Sequence, residues 1–290
     1  MTTQTQQYQA AITENFPDLT INTCEPFYEG WANRTVLVNQ STVFRFPKHE
    51  TAAQELMDEM RLLPELAPPV PLPIPEYIYQ GQPTAHFSLP FGGYPLLRGT
   101  LLSQCSDEVK SATWWKAQLG AFLTALHTFP ITRIPQLLDR DVPLTTGSWI
   151  TAIHGLCERI KTQVLPLLTT HQQRKIGVYL DEVMADESIF SFTPVLIHQD
   201  FYEHNILVDV ETETVTGILD WGSCSVGDPA EDVGDLLPYY EGVVDAGWAA
   251  RCAFYAKTAP FPDLLYVLEH DQRDRIPRIM DYINRLWKPS

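Results

Sequence analysis

Residues 195–222 read V-L-I-H-Q-D-F-Y-E-H-N-I-L-V-D-V-E-T-E-T-V-T-G-I-L-D-W-G, and three polar side chains stand out at fixed spacing. Asp200 is followed five residues later by Asn205, and Asp220 closes a second apolar run fifteen residues after that. Moving a γ-phosphoryl group asks little covalent chemistry of a protein; it asks for an acceptor hydroxyl in line and cations on the triphosphate. An aspartate can take the hydroxyl proton. A neutral amide oxygen and a second carboxylate are ligands that Mg²⁺ accepts beside phosphate oxygens. Asp200 is therefore the expected base, and Asn205 and Asp220 are the expected magnesium ligands.

The surrounding pattern suits those roles. A short apolar run at 194–197 leads into the loop, 206–208 leaves it as a strand, 211–214 forms a turn, and 215–219 returns as the partner strand. All three polar groups then sit at the ends of one small β unit, the layout of a kinase catalytic loop and its metal-binding turn. Two other readings compete. His198, Asp200 and His204 could ligate zinc, although such sites usually add Cys or a third His at tighter spacing. The pattern could also be purely structural. Asp220, placed at a strand end downstream, favours phosphoryl transfer over both.

These motifs, H-Q-D-F-Y-E-H-N at 198–205, I-L-D-W-G at 218–222 and G-D-P-A-E-D at 227–232, resemble the aminoglycoside phosphotransferase family, whose members have a kinase-like fold. Trp221 takes the place of the usual Phe of the kinase D-F-G. Upstream, E-N-F-P at 14–17, E-G-W-A-N at 29–33, V-F-R-F-P-K at 43–48 and L-L-P-E-L-A-P at 62–68 resemble its 2″-phosphotransferase branch. The resemblance runs from about residue 8 to about residue 245. It implies ATP or GTP as co-substrate, Mg²⁺ as cofactor, and a cation on the nucleotide phosphates. Arg45 falls at the family's lysine position, with Lys48 as the competing candidate. Glu59 is the expected acidic partner on the following helix, with Glu55 one turn earlier as the alternative. Gly30 stands in the expected phosphate-covering loop, 29–34, where no glycine-rich motif is present.

The elements expected to position these groups are β-rich first and mainly helical afterwards. A helix at 7–16 precedes strands near 20–28, 33–38 and 42–47 and a helix over 51–66. The proline run at 68–75 reads as an extended connection. A strand pair follows at 76–80 and 84–89, and P-F-G-G-Y at 90–94 reads as a hinge. Ser106 is expected to cap one long helix ending near His127. Further helices are expected at 149–165, 170–187, 245–257 and 273–287. The fold expected is α+β and two-lobed, protein-kinase-like: a nucleotide-binding lobe over 1–93, a hinge at 88–94, and a catalytic and substrate-binding lobe over 94–290.

Composition narrows the partners. The net charge is −16, and residues 176–250 contain no Lys or Arg while acids recur throughout. Such a surface repels nucleic acid and attracts a polycationic small molecule, although acidity serves general solubility too. Glu203, Glu241 and Asp245 are the candidates for ammonium contacts; Asp228 and Asp232 read as braces of the G-D-P-A-E-D segment. No apolar run approaches the roughly 20 residues that span a bilayer, and the N-terminus has no signal-like core. Five scattered cysteines without a CxxC pair read as free thiols in a cytoplasmic, monomeric protein. The expected acceptor is a cationic hydroxylated compound, foremost an aminoglycoside. A macrolide, or a choline-, sugar- or homoserine-like metabolite, would use the same catalytic residues. A non-catalytic binding protein would not need Asp200, Asn205 and Asp220 together.

Overall fold

The computed structural model describes residues 3–288, so the outermost residues of the expected lobes, 1–2 and 289–290, lie outside the described part. Contacts group the chain into two compact units. Of the described residues, the first holds 3–142, 196–225 and 235–241, and the second holds 143–195, 226–234 and 242–288.

The first unit begins with helix α1 (Thr3–Asn15) and a five-stranded sheet. Its strands are β1 (Cys24–Glu29), β2 (Asn33–Val38), β3 (Thr42–Pro47), β4 (Tyr79–Gly81) and β5 (Phe91–Pro95), ordered β1-β2-β3-β5-β4 and all antiparallel. Side chains alternate across a strand, and β3 uses this strictly. Phe44 and Phe46 point into a core with Tyr8, Ile12, Val36, Val38 and Phe91. Tyr8 stacks on Phe46 at 4.1 Å, and Phe46 stacks on Phe91 at 4.8 Å. Each fully buried ring of this kind contributes about 1.5–3 kcal/mol. Arg45, between the two phenylalanines, must then face the other side of the sheet, toward helix α2 (Glu50–Leu66). His49 caps α2, its Nδ1 accepting from the Ala52 amide at 3.2 Å.

The expected strand at 84–89 is not formed. Thr84 Oγ1 accepts from the amides of His86 and Phe87, and that side-chain turn consumes donors a ladder would need. The partner of β4 is β5, within the expected hinge. Gly92 and Gly93 leave space that neighbouring rings occupy. A Cβ on Gly93 would lie 2.6 Å from the Phe44 ring, and one on Gly92 would lie 2.7 Å from Tyr77.

Past β5 the chain stays in the first unit. Strand β6 (Thr100–Leu101) pairs with a later hairpin. Ser106 caps only the short α3 (Asp107–Ser111), and α4 (Trp114–Leu126) starts afresh, so the expected single helix is two. The break is fixed where Trp115 Nε1 donates back to the Val109 carbonyl at 2.9 Å. Helix α5 (Ile134–Leu137) follows and packs on α2. After β7 (Val195–Ile197) come β8 (Ile206–Asp209) and β9 (Thr214–Ile218), antiparallel as expected, with α4 against β9. These contacts group 94–142 with the sheet residues in the first unit.

The second unit is helical. Helices α6 (Thr146–Arg159) and α7 (Thr170–Ala185) both start with capping boxes, from Thr145/Ser148 and Thr169/Gln172. Then come α8 (Pro229–Val233), α9 (Trp248–Thr258), α10 (Pro260–Glu269) and α11 (Ile276–Leu286). Helix α10 has no counterpart among the expected elements. Proline is compatible with the first turn of a helix, where its missing N–H is an orphan anyway, and Pro260 opens α10 there.

Gly93→Ala tests the packing account of β5. It should lower stability by about 1–3 kcal/mol, the usual cost of overpacking, read as a fall in the urea midpoint at unchanged m-value.

Candidate active site

The site grows from the β8–β9 hairpin of the first unit. His198 is fully buried at its entrance. Its Nδ1 accepts from the Asp200 amide at 3.3 Å, which leaves Nε2 protonated to donate to the Leu219 carbonyl at 3.0 Å. The Leu219 amide in turn donates to the Asn205 carbonyl at 2.8 Å. One imidazole and one backbone bond therefore tie the loop bearing Asp200 and Asn205 to the segment bearing Asp220. Trp221 packs beneath, 1 % exposed, 4.7 Å from the His198 ring and edge-on to Phe122, while Phe201 stacks on Phe122 at 5.8 Å.

Asn205 Nδ2 donates both to the Asp200 carbonyl, at 2.9 Å, and to Asp200 Oδ2, at 2.7 Å. The amide nitrogen is thus committed to the aspartate, and the amide oxygen is the end that can ligate a cation. Gln199 and Asp220 both adopt left-handed backbone, with φ of 68° and 60°. That conformation costs a non-glycine residue roughly 1–2 kcal/mol, and such strain persists where the surroundings over-determine it.

Arg45 reaches Asp220 from the sheet. Its Nη2 donates to Asp220 Oδ1 at 2.9 Å, and its Nη1 donates to both Glu59 oxygens, at 2.8 and 2.7 Å, and to Tyr77 Oη at 3.0 Å. The Tyr77 hydroxyl donates to Glu59 Oε1 at 3.0 Å. Burial would lower the Arg45 pKa, but Glu59, Tyr77, Asp220 and Tyr94 around it more than offset this and raise it, so it stays charged. Burial pushes the Glu59 carboxyl up, against the pull of Arg45. Burial also raises the Tyr94 hydroxyl to about 12. Tyr77 was read only as part of a strand; nothing in P-E-Y-I-Y marks it as a partner of a buried ion pair.

The other expected residues separate from this cluster. Lys48 Nζ donates to the Gly30 carbonyl at 2.8 Å and lies 3.1 Å from Glu29, so it closes the β1–β2 loop. Glu55 lies against Gly222, whereas the carboxylate paired with Arg45 is that of Glu59. Glu203 is exposed, 3.9 Å from Lys110, and Glu241 is exposed, with its backbone amide on Thr124 Oγ1. Asp245 belongs to the second unit and is engaged internally. Both of its oxygens accept from the buried Arg251, at 2.8 and 2.6 Å, and that bond holds its carboxyl below the usual range. Arg251 also donates to Asp228, which caps α8 and accepts from Tyr255 Oη at 2.7 Å. Asp228 is therefore a brace of this segment. All five cysteines are free, and burial pushes the Cys24 and Cys157 thiols up to about 11.

His198, the first residue of the zinc reading, has both ring nitrogens committed within the protein, and among the described residues no group of three or more His, Cys, Asp or Glu could hold a metal. Magnesium needs no such cage, since it takes one or two carboxylates and fills its shell with phosphate oxygens and water. Asn205 and Asp220, joined through Leu219, fit that donor chemistry.

A base-bearing loop, an amide beside it, a carboxylate on the following turn and a buried Arg–Glu pair between sheet and helix are the parts of a kinase-like phosphotransferase. The description "Phosphotransferase enzyme family" matches residues 23–262, and the chain belongs to that family. It is accordingly a phosphotransferase, β-rich toward the N-terminus and helical toward the C-terminus. A GDP and kanamycin complex of APH(2″)-IIIa is 27% identical, with 96% of this chain and 97% of that chain covered and a TM-score of 0.83. A GDP complex of wild-type aminoglycoside 2′-phosphotransferase-IIIa is 26% identical, with 97% and 98% covered and a TM-score of 0.84. Macrolide 2′-phosphotransferase type I shares the fold at 20% identity and a TM-score of 0.77, covering 98% of each chain. No curated protein sequence matches.

The two basic candidates should separate in stability. Arg45→Ala strands a buried carboxylate and should cost about 3–5 kcal/mol. Lys48→Ala removes a partly exposed pair and should cost about 1 kcal/mol or less. Chemical unfolding of both variants checks the ranking.

Proposed function

We propose that this chain transfers the γ-phosphoryl group of ATP or GTP to a hydroxyl of an aminoglycoside. The observation that carries the reading is the joining of Asp200, Asn205 and Asp220 through His198 and Leu219, with Asp220 held by the Arg45–Glu59 pair. The GDP and kanamycin complex of a relative at 27% identity supports the nucleotide and the acceptor class, and adds weight to GTP. A monomer in the cytoplasm, where triphosphates and free thiols coexist, fits the five unpaired cysteines. Among the described residues no helix is long and apolar enough to cross a membrane.

In this reading Asp200 accepts the proton of the attacking hydroxyl while the new O–P bond forms and the bond to the nucleotide β-phosphate oxygen breaks. Asn205 Nδ2 fixes the rotation of the Asp200 carboxylate, so its lone pairs are aimed before the acceptor arrives. Asn205 Oδ1 and Asp220 would hold Mg²⁺, which supplies charge neutralisation on the phosphates. Arg45, kept charged by Glu59, is the group assigned to the phosphates in place of the usual lysine. Gly30 and its neighbours, held by Lys48, form the loop assigned to cover them. Glu203 and Glu241 remain as acceptor contacts. Exposed pairs are worth roughly 0–1 kcal/mol singly, so they act only in company.

Nucleotide consumption by purified protein, run with ATP and GTP against kanamycin-type aminoglycosides, macrolides and amino alcohols, tests the reading. Turnover confined to aminoglycosides is expected, with acceptor KM rising as salt screens the acidic surface. An uncharged best acceptor with a salt-independent KM would refute the aminoglycoside assignment. Asp200→Asn should lower kcat by about 10²–10⁴-fold, the usual span for a general base, with nucleotide affinity retained. Near-normal kcat in that variant would remove Asp200 from the role.

A further inference from the structure

Asp58 and Glu59 are consecutive on α2 and both are about 1% exposed, yet only Glu59 belongs to the Arg45 cluster. Asp58 serves a second structure. Its Oδ1 accepts from the Asp139 amide and from Gln54 Nε2, both at 3.0 Å, and from Arg61. Arg61 Nε also holds the Leu137 carbonyl at 3.0 Å. Segment 137–140 is thereby fixed along α2. At its end Arg140 lies with Nε 3.6 Å from Asp58 Oδ2. Its two other nitrogens reach away from the helix, Nη1 donating to the Gly222 carbonyl at 2.7 Å and Nη2 to the Cys224 carbonyl.

Those two carbonyls flank Ser223 in the turn that begins with Asp220 and Trp221. Asp220 sits in left-handed backbone, a conformation that favours glycine. From upstream it is restrained by His198 through the Leu219 carbonyl, and at its side chain by Arg45. Arg140 restrains it from downstream. A rigid guanidinium fork can bond two carbonyls while its charge faces a buried carboxylate at ion-pair distance, which a lysine ammonium on a flexible stem cannot reproduce. Two adjacent acids of one helix turn thus govern the same turn from two sides: Glu59 through Arg45 to the carboxylate, and Asp58 through Arg140 to the backbone.

We propose that Arg140, held by Asp58, is a positioning residue that locks the turn after Asp220 to α2 and so sets the direction of the Asp220 carboxylate toward nucleotide-bound magnesium. This rests on the assignment of Asp220 as a magnesium ligand. Groups that orient a metal ligand typically change metal affinity by about 10–100-fold when removed. A brace that contributed only stability would leave the metal dependence of nucleotide binding untouched.

The experiment is a double-mutant cycle. Affinities for ATP and GTP are titrated with and without Mg²⁺, and Tm is recorded, for the wild type, Arg140→Ala, Asp220→Ala and the double variant. Arg140→Ala should cut the Mg²⁺-dependent gain in nucleotide affinity by about tenfold or more, with metal-free affinity unchanged. The double variant should bind Mg-nucleotide no worse than Asp220→Ala alone, because the two residues act through one ligand. Arg140→Lys should restore only part of the loss. Full Mg²⁺ dependence in Arg140→Ala, or additive losses in the double variant, overturns the proposal while the magnesium assignment stands. Should Asp220→Ala itself keep the full Mg²⁺ gain, the magnesium assignment fails and the proposal falls with it. If Arg140→Ala does not fold, Arg140→Lys and Asp58→Asn are read on the same scale.

Discussion

A buried guanidinium needs every one of its charges and donors met, and the first unit is organised around meeting those of Arg45. Stripped of water, a charge of this kind is tolerated only with a carboxylate in near-ideal geometry and further hydrogen bonds. Glu59 supplies the carboxylate from α2, Tyr77 the extra hydroxyl from the segment after the proline run, and Asp220 a second carboxylate from the hairpin. Three distant stretches of chain are thereby brought to one point. The phase of β3, the rotation of α2 and the exit of the proline run all have to agree for this to happen.

That agreement explains which parts of the site can be read from the sequence. The hairpin at 206–218 is local, so the spacing of Asp200, Asn205 and Asp220 is nearly its geometry. The Arg45 pairing is not local. Arg45 and Lys48 are both basic and close in sequence, and Glu55 and Glu59 stand four apart on one helix face, where periodicity cannot separate them. Two details decide. The V-F-R-F alternation commits Arg45 to the α2 side once Phe44 and Phe46 enter the α1 core. Lys48 lies past the strand end, where the β1–β2 loop captures it. Strand parity separates the two basic residues; the acid depends on height along α2, which only packing fixes.

The remaining differences have one origin: a residue type was read for its commonest use. Glycines at 92–93 suggested a hinge, but the space they leave is filled by Phe44 and Tyr77. Helix α10 falls unassigned between two expected helices, and its prolines lie where a helix accepts them, in the first turn. The acid-only stretch suggested a cation-binding surface throughout, yet Arg251 follows it directly and turns inward to take both Asp228 and Asp245. Charge counts treat every acid as available. Burial and pairing divide them into braces, such as Asp228, and exposed groups, such as Glu203 and Glu241.

Strain marks the same division from another direction. Gln199 and Asp220 carry left-handed backbone where glycine would be at ease, and they neighbour or constitute the groups on which phosphoryl transfer relies. Left-handed backbone also occurs in exposed turns, at Gln40, Glu213 and Asp271, so what sets these two residues apart is the number of restraints around them. Around them stand the most heavily determined contacts of the unit: the His198 ring bonded on both nitrogens, Trp221 sealed beneath with its Nε1 on the Ile218 carbonyl, and Arg45 at the carboxylate. Catalysis by positioning leaves the protein little covalent work, so its contribution must reside in how firmly the base and the metal ligands are aimed. A strained turn under many independent restraints has few alternative conformations to visit, and that is the property such aiming requires.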